Sequence, residues 1–298
     1  MYLLNRTMRH RVNYTWMIVS LLLVASLPFL LFLGLYLKSF LLIHDYHLDD
    51  LLFSREWRPG SGKFGFYPFI IGSIWVTLLA MLISGPVCLL TAVYVTQYTK
   101  KRFLRIMHPA IDILAGIPSV VYGLWGILVI VPFISDFVGP LFGVKTLGYS
   151  ILAAAFVLSI MIIPFILNIL IEIFRTIPIE LKEASLSMGA TQWDTIKHVL
   201  VKKALPGIIA AFGFGLARAF GETMAVLMVV GNVVKLPKSV FDPGYTLPAL
   251  IANNYGEMLS IPKYDSALMF AALVLLVVSL FFNLVMHFFI DRYDKLTA

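Results

Sequence analysis

The sequence predicts an all-α membrane protein with six transmembrane helices, and three observations carry that expectation. Of 298 residues, 60% are hydrophobic and 13% charged, with a mean hydropathy of +0.92; a soluble domain carries about 25% charged residues. Six apolar stretches are long enough to cross a bilayer, which takes about 20 helical residues. Unpaired backbone groups are so costly in hydrocarbon that runs of this length must be helical.

The first stretch, Val12 to Leu37, follows Arg6, Arg9 and Arg11 as the apolar part of a signal peptide would. It is far longer than the roughly 7 to 15 residues usual there, so it reads as an uncleaved anchor. The others run from Phe64 to Thr99, Ile113 to Ser135, Thr146 to Ile171, Ala204 to Val234 and Ser266 to Ile290. The second and fifth exceed one span, so their ends are expected in loops or interfaces. Cys88 is the only cysteine, which excludes an intrachain disulfide.

Charge placement orients the bundle. With the N-terminus inside, 14 of the 23 Lys and Arg lie on the cytoplasmic side and 8 outside, with Arg218 between them. Basic residues favour the cytoplasmic loops, so both termini are expected in the cytoplasm. The formal charge of +7 thus reflects membrane edges, and no nucleic-acid partner is expected.

The segment between spans four and five, 172–206, is the most informative. The run "RTIPIELKEASLSMGATQWDTIKHVLVKKALPGI", Arg175 to Ile208, covers most of it. Pro178 suits the first turn of a short helix, Glu180 and Glu183 sit near its positive end, and Gly189 breaks it. Thr191 and Asp194 have capping-box spacing, so a second helix starts there, expected to carry Trp193, Ile196 and Leu200 on one face. Such a unit can insert into a groove on another protein or lie on lipid, and physics alone leaves both open.

Within this segment, "KEASLSMGA", with Glu183, Ala184, Ser185 and Gly189, resembles the EAA loop of ABC importer permeases, which docks on the ATP-hydrolysing subunits. Ser185 departs from the usual third alanine, and Val201-Lys202 stand where many members carry Leu-Pro. Two further runs, "LAGIPSVVYGLWGILVIVP" (Leu114 to Pro132) and "ARAFGETMAVLMVVGN" (Ala217 to Asn232), resemble the permease subunits of phosphate-specific ABC importers. "GETMAV" and the downstream "FDPGYTLPALIANNYGEM" favour the PstC type over its PstA-type partner. The similarity runs from about Phe64 to Arg292.

This resemblance implies a type I ABC permease fold in residues 64–298, with 172–206 as the coupling segment and 1–63 as tail, first helix and outer loop. It implies no catalytic residue and no cofactor on this chain, ATP being used by partners. Those partners would be a homologous PstA-type permease, two ATP-binding subunits and an external phosphate-binding protein, around a multi-pass protein of the cell (inner) membrane.

Arg218 and Glu222 interrupt the fifth stretch. An arginine at the centre of a membrane helix costs about 2.5 to 3.5 kcal/mol, and an acid is similarly unfavourable, so neither is expected to face lipid. At i and i+4 on one helix they would share a face and could pair. Gly207, Ala211, Gly215 and Ala219 repeat small side chains that let another helix approach, which makes span five central. A guanidinium matches two phosphate oxygens, so Arg218 is the candidate to meet the anion, with Glu222 holding it or tempering its potential. A buried structural pair joining two subunits is the bland alternative.

Other motifs are weaker. "PGSGKFG" (Pro59 to Gly65) lacks the first glycine and the Ser or Thr of a P-loop. "HDYHLDD" (His44 to Asp50) has metal-like spacings but reads better as a solvated face, and no metal site is expected. His108, His198 and His287 stand alone near membrane edges, and Asp112 could cap a helix or line a vestibule, the cap being the better reading. No nucleotide-binding or hydrolytic constellation is visible. The rivals are therefore a permease for another oxyanion (sulfate, molybdate, phosphonate) and a gradient-driven secondary transporter, whose inverted repeats or extra intramembrane acids are missing.

Overall fold

The structure, a computed structural model, describes residues 2–257, 261 and 263–297. Six of its helices are long and apolar enough to span a membrane: His10–Asp45, Tyr67–Gln97, Ser119–Leu141, Ile151–Thr176, Gln192–Phe220 and Tyr264–Phe289.

Helix α1 (Tyr2–Asp45) is apolar around its circumference, with Leu21, Phe29 and Leu37 well exposed. Among its described side chains, Ser39 and Leu42 in the last turns are buried. After the short α2 (Leu48–Phe53), strands β1 (Trp57–Arg58) and β2 (Lys63–Phe64) pair antiparallel, Trp57 opposite Phe64. The "PGSGKFG" run is thus the turn and second strand of a hairpin. Trp57 stacks edge-on against Phe64, Phe66 and Phe69, with centroids 5.7, 5.2 and 5.2 Å away. Together with Leu42, Tyr245, Tyr264 and Phe270 these rings form a second core at this end of the bundle.

Helix α3 (Tyr67–Gln97) leads to α4 (Lys101–Gly116), a short break at Ile117-Pro118, and α5 (Ser119–Leu141). The expected third span therefore begins six residues later than the apolar run suggests. Asp112 lies inside α4 rather than at its start, so it is not a cap. Two π-helical turns interrupt α5, Gly126–Ile130 and Ile134–Val138, and each runs directly into an X-Pro step, Val131-Pro132 and Gly139-Pro140. Proline has no N–H to donate, and widening the preceding turn accommodates the missing bond.

The axis of the molecule is α6 (Ile151–Thr176), whose first turn is capped by the Ser150 hydroxyl accepting from the Ala153 amide at 3.2 Å. Most of its residues are buried, against α3 on one side and α8 (Gln192–Phe220) on the other. Between them, α7 (Ile179–Ser187) forms a short surface helix. The small-residue row of α8 does admit a neighbour: a Cβ on Gly207 would sit 2.7 Å from Ile173, and one on Gly215 would sit 2.5 Å from Ile166. That neighbour is α6, two turns apart on one face.

Helix α8 ends well short of Val234, in keeping with an apolar run longer than one span. It stops at Phe220, buried against Phe282 of α11 (Tyr264–Thr297) with centroids 5.6 Å apart. The remainder folds back as α9 (Met224–Val229) and an irregular segment that closes over the start of α6. There the Ser150, Ile151 and Leu152 amides donate to the carbonyls of Val229, Asp242 and Val240. Helix α10 (Leu247–Asn254) then packs beside α11 and α3.

Candidate functional site

Arg218 lies in the last turn of α8, beside the middle of α6. Its guanidinium carbon lies 4.7 Å from the centroid of the Phe165 ring, and Phe165 is near the midpoint of α6. The side chain is exposed in this chain. Two turns of neighbouring α8 surface hold its backbone rigid: Ala211, Gly215 and Ala219 are buried against the core. A ring face attracts a cation through its quadrupole without using any N–H, so the five donors of Arg218 stay free for another partner.

Glu222 is not on the same helical face. Helix α8 ends between the two residues: Gly221, Glu222 and Thr223 leave helical geometry, and the Glu222 amide closes the last turn on the Ala219 carbonyl at 3.3 Å. Among the described residues no ion pair joins Arg218 to Glu222. The i,i+4 pairing expected of a continuous helix is therefore corrected: the two charges flank a break, with Glu222 half-buried at the entrance to α9. Phe165, which positions the arginine, carries no sequence signal of its own.

The segment 172–206 forms a helix, turn and helix. Pro178 is the residue before α7, and Gly189 turns the chain with φ +86°. Thr191 caps α8 as the spacing implied: its hydroxyl accepts from the Asp194 amide at 3.1 Å and donates to the Asp194 carboxylate at 2.5 Å. The unit is fastened to the end of α3, where Lys182 donates to the Gln97 side chain at 3.1 Å and Gln192 to the Gln97 carbonyl at 3.1 Å. Ser185, half-buried, shares a 2.9 Å hydrogen bond with buried Thr195, so the departure from alanine ties α7 to α8.

Glu183, Ala184 and Gly189 are exposed, as are Met188 at 86% and Trp193 at 54%. Ile196 and Leu200, expected on one face with Trp193, are buried. A π-helical turn runs from Ile196 to Leu200. Large apolar side chains left open beside a polar rim mark a surface for contact with protein or lipid.

Histidine 108 is not alone. Its Nε2 lies 2.6 Å from an Arg175 nitrogen, and since guanidinium only donates, the imidazole accepts. His198 Nδ1 bonds the Asp194 carbonyl at 3.2 Å. In the His44 to Asp50 cluster, Asp45 is engaged by His44 at 3.1 Å and Lys263 at 2.5 Å.

Comparison with known proteins gives this arrangement a context. Residues 87–297 match the family described as binding-protein-dependent transport system inner membrane component. The phosphate transport system permease protein PstC of Xylella fastidiosa (strain 9a5c) is 39% identical over 244 residues, covering 77% of this chain and 75% of that protein. The probable ABC transporter permease protein YqgH of Bacillus subtilis (strain 168) is also 39% identical, over 275 residues, 91% of this chain and 87% of its own length. In fold, the chain is similar to a permease of a bacterial alginate ABC transporter crystallised with its alginate-bound periplasmic protein, with TM-score 0.66, 14% identity and 96% of each chain covered. The chain thus belongs to the family of binding-protein-dependent transport system inner membrane components, beside the PstC permeases.

Proposed function

We propose that this chain is the transmembrane permease subunit of an ATP-driven importer that carries inorganic phosphate across the cell (inner) membrane, with both termini in the cytoplasm. The single observation that supports the role most is Arg218: a guanidinium at mid-depth on the central pair of helices, held by an aromatic face with its donors free. Relatives named as phosphate transport permeases support the choice of anion.

A phosphate arriving at Arg218 meets a planar fork of N–H groups that matches two of its oxygens. Glu222, across the helix break, cannot attract the anion; it lowers the local positive potential so that binding stays weak enough for release. The chain itself hydrolyses nothing and holds no cofactor. ATP is turned over by two partner subunits that grip Glu183, Ala184, Ser185 and Gly189 on α7 and the turn after it. A PstA-type permease completes the path, and an external phosphate-binding protein delivers the anion to the segment Lys235 to Asp265. Movement of α7 with the ATPases turns the helices around Arg218, exposing it to each side in turn.

Uptake of radiolabelled anions into vesicles holding the full complex, with and without ATP, tests this reading. Phosphate is expected to enter only with ATP, and sulfate, molybdate and phosphonate are expected not to compete. Preferred entry of another oxyanion, or entry driven by a gradient alone, overturns it.

A further inference from the structure

Below Arg218, toward the end of the bundle that carries Lys100, Arg105 and α7, a line of polar side chains runs down α6. Phe165, Asn168, Glu172 and Arg175 are spaced by three, four and three residues, which places them on one helical face. Helix α4 supplies the other side. Asn168 Nδ2 donates to Asp112 Oδ1 at 3.2 Å, and Arg175 donates to His108 Nε2 at 2.6 Å and to Glu172 Oε1 at 2.9 Å. Asp112, Glu172 and Arg175 are exposed in this chain, and Asn168 and His108 half-buried.

None of these groups suits lipid. Asn168 and Asp112 stand about 12 Å above the end of α6, at 1.5 Å of rise per residue. A carboxylate facing hydrocarbon costs up to about 2.5 to 3.5 kcal/mol, the value at a helix centre. Arg175 alone is near enough to the end to extend toward water. The alternation of sign is also informative. The level of Arg218 and the position of Arg175 are about 15 Å apart along α6, too far for one anion to bridge, and Asp112 with a neutral amide donor, Asn168, lies between.

We propose that this stripe is the inner half of the anion path, with Arg175 as a second anion station. The inference rests on the permease reading above. Phosphate leaving Arg218 is repelled from lingering by Asp112, passes the Asn168 amide, and is received by Arg175. Two of the Arg175 donors are spent on Glu172 and His108, which fix its direction and leave the rest for phosphate. Asp112 keeps the interval between the two cations from becoming a trap.

Cysteine accessibility in the complete complex separates this from a lipid-facing or subunit-covered stripe. Single changes Asn168→Cys and Glu172→Cys, with Ile113→Cys as an exposed apolar control beside Asp112, are made in a complex lacking other accessible cysteines, Cys88 having been replaced. Inside-out vesicles are treated with a membrane-impermeant anionic methanethiosulfonate, which reacts with a hydrated thiolate. Positions 168 and 172 are expected to react at least about tenfold faster than 113, because only a wet site keeps a thiol ionised and reachable, and inorganic phosphate is expected to slow them. Reaction no faster than at 113 overturns the proposal, whatever the complex transports. Fast reaction slowed by sulfate but not phosphate keeps the stripe as the path and removes phosphate as the cargo. A second arm compares Arg175→Gln with Arg175→Lys: Gln is expected to lower the maximal uptake rate with ATPase association intact, and Lys to restore most of it. Equal uptake by wild type and Gln also overturns the second station.

Discussion

The contact between α8 and α6 sets where Arg218 points, and Gly215→Ala tests it. The added Cβ would lie 2.5 Å from Ile166 Cδ1 and 2.6 Å from Cγ1, with Ile166 wholly buried. Ordinary carbon contacts begin near about 3.5 Å, so the helices must separate by about 1 Å. Alanine gains up to about 1 kcal/mol of helix propensity over glycine, while overpacking costs about 1 to 3 kcal/mol. The net change is therefore about 0 to 2 kcal/mol of destabilisation. Function is expected to suffer more than stability. A 1 Å separation carries Arg218 from 4.7 Å toward the limit of about 6 Å beyond which the Phe165 ring no longer holds a cation. Denaturant unfolding of the purified complex and phosphate uptake are measured for Gly215→Ala, Ile166→Ala and the double variant. Ile166→Ala alone costs about 2 to 5 kcal/mol by its cavity. The double variant is expected to be less destabilised than the sum by about 1 to 3 kcal/mol, since the new methyl enters the vacated space. Additive costs, or normal uptake by Gly215→Ala, would refute the reasoning.

Three further outcomes follow from the same geometry. Phe165→Leu keeps the site apolar but removes the ring face, worth about 0.5 to 2 kcal/mol to a cation; phosphate uptake is expected to show a raised KM with the complex intact, and an unchanged KM counts against Phe165 as the seat of Arg218. At Gly189 a Cβ would touch nothing, so the demand there is conformational only. With φ +86°, Val is expected to weaken co-purification of the ATPases, whereas Asn, which tolerates left-handed backbone, retains it. In the hairpin, Lys63 hydrogen-bonds Glu56 at 2.6 Å and holds its carboxyl below the ordinary glutamate value. A lowered carboxylate stabilises the fold above its unfolded value, and that contribution is lost as pH falls through the folded value. Both side chains are more than half exposed, so the effect is small. Carbon-13 NMR of the Glu56 carboxyl is expected to show its midpoint rise in Lys63→Met, and no movement would contradict the pair.

Much of the architecture was legible because membrane helices are written in composition. The apolar runs located six spans, the Thr191 and Asp194 spacing located the start of α8, and the small residues of α8 announced a close neighbour. What the sequence concealed were breaks without polar punctuation. "ARAFGETMAVLMVVGN" reads as continuous hydrocarbon, yet the chain leaves the helix after Phe220, whose ring is trapped by Phe282, a residue 62 positions away. That single departure turns an i,i+4 pair into two charges on either side of a hinge. Phe165 and Asn168 were invisible, and His108 was read as solitary, because their partners lie on other helices and no spacing in one segment encodes them.

The central claim is that Arg218 meets the transported anion, and Arg218→Gln tests it most directly. Radiolabelled phosphate uptake is measured in proteoliposomes holding the full complex with ATP, at matched permease levels and with ATPase association checked. The account expects uptake to fall to background with glutamine and to be partly kept with lysine, which preserves the charge but not the planar fork. Wild-type uptake by a fully assembled Arg218→Gln complex would contradict it.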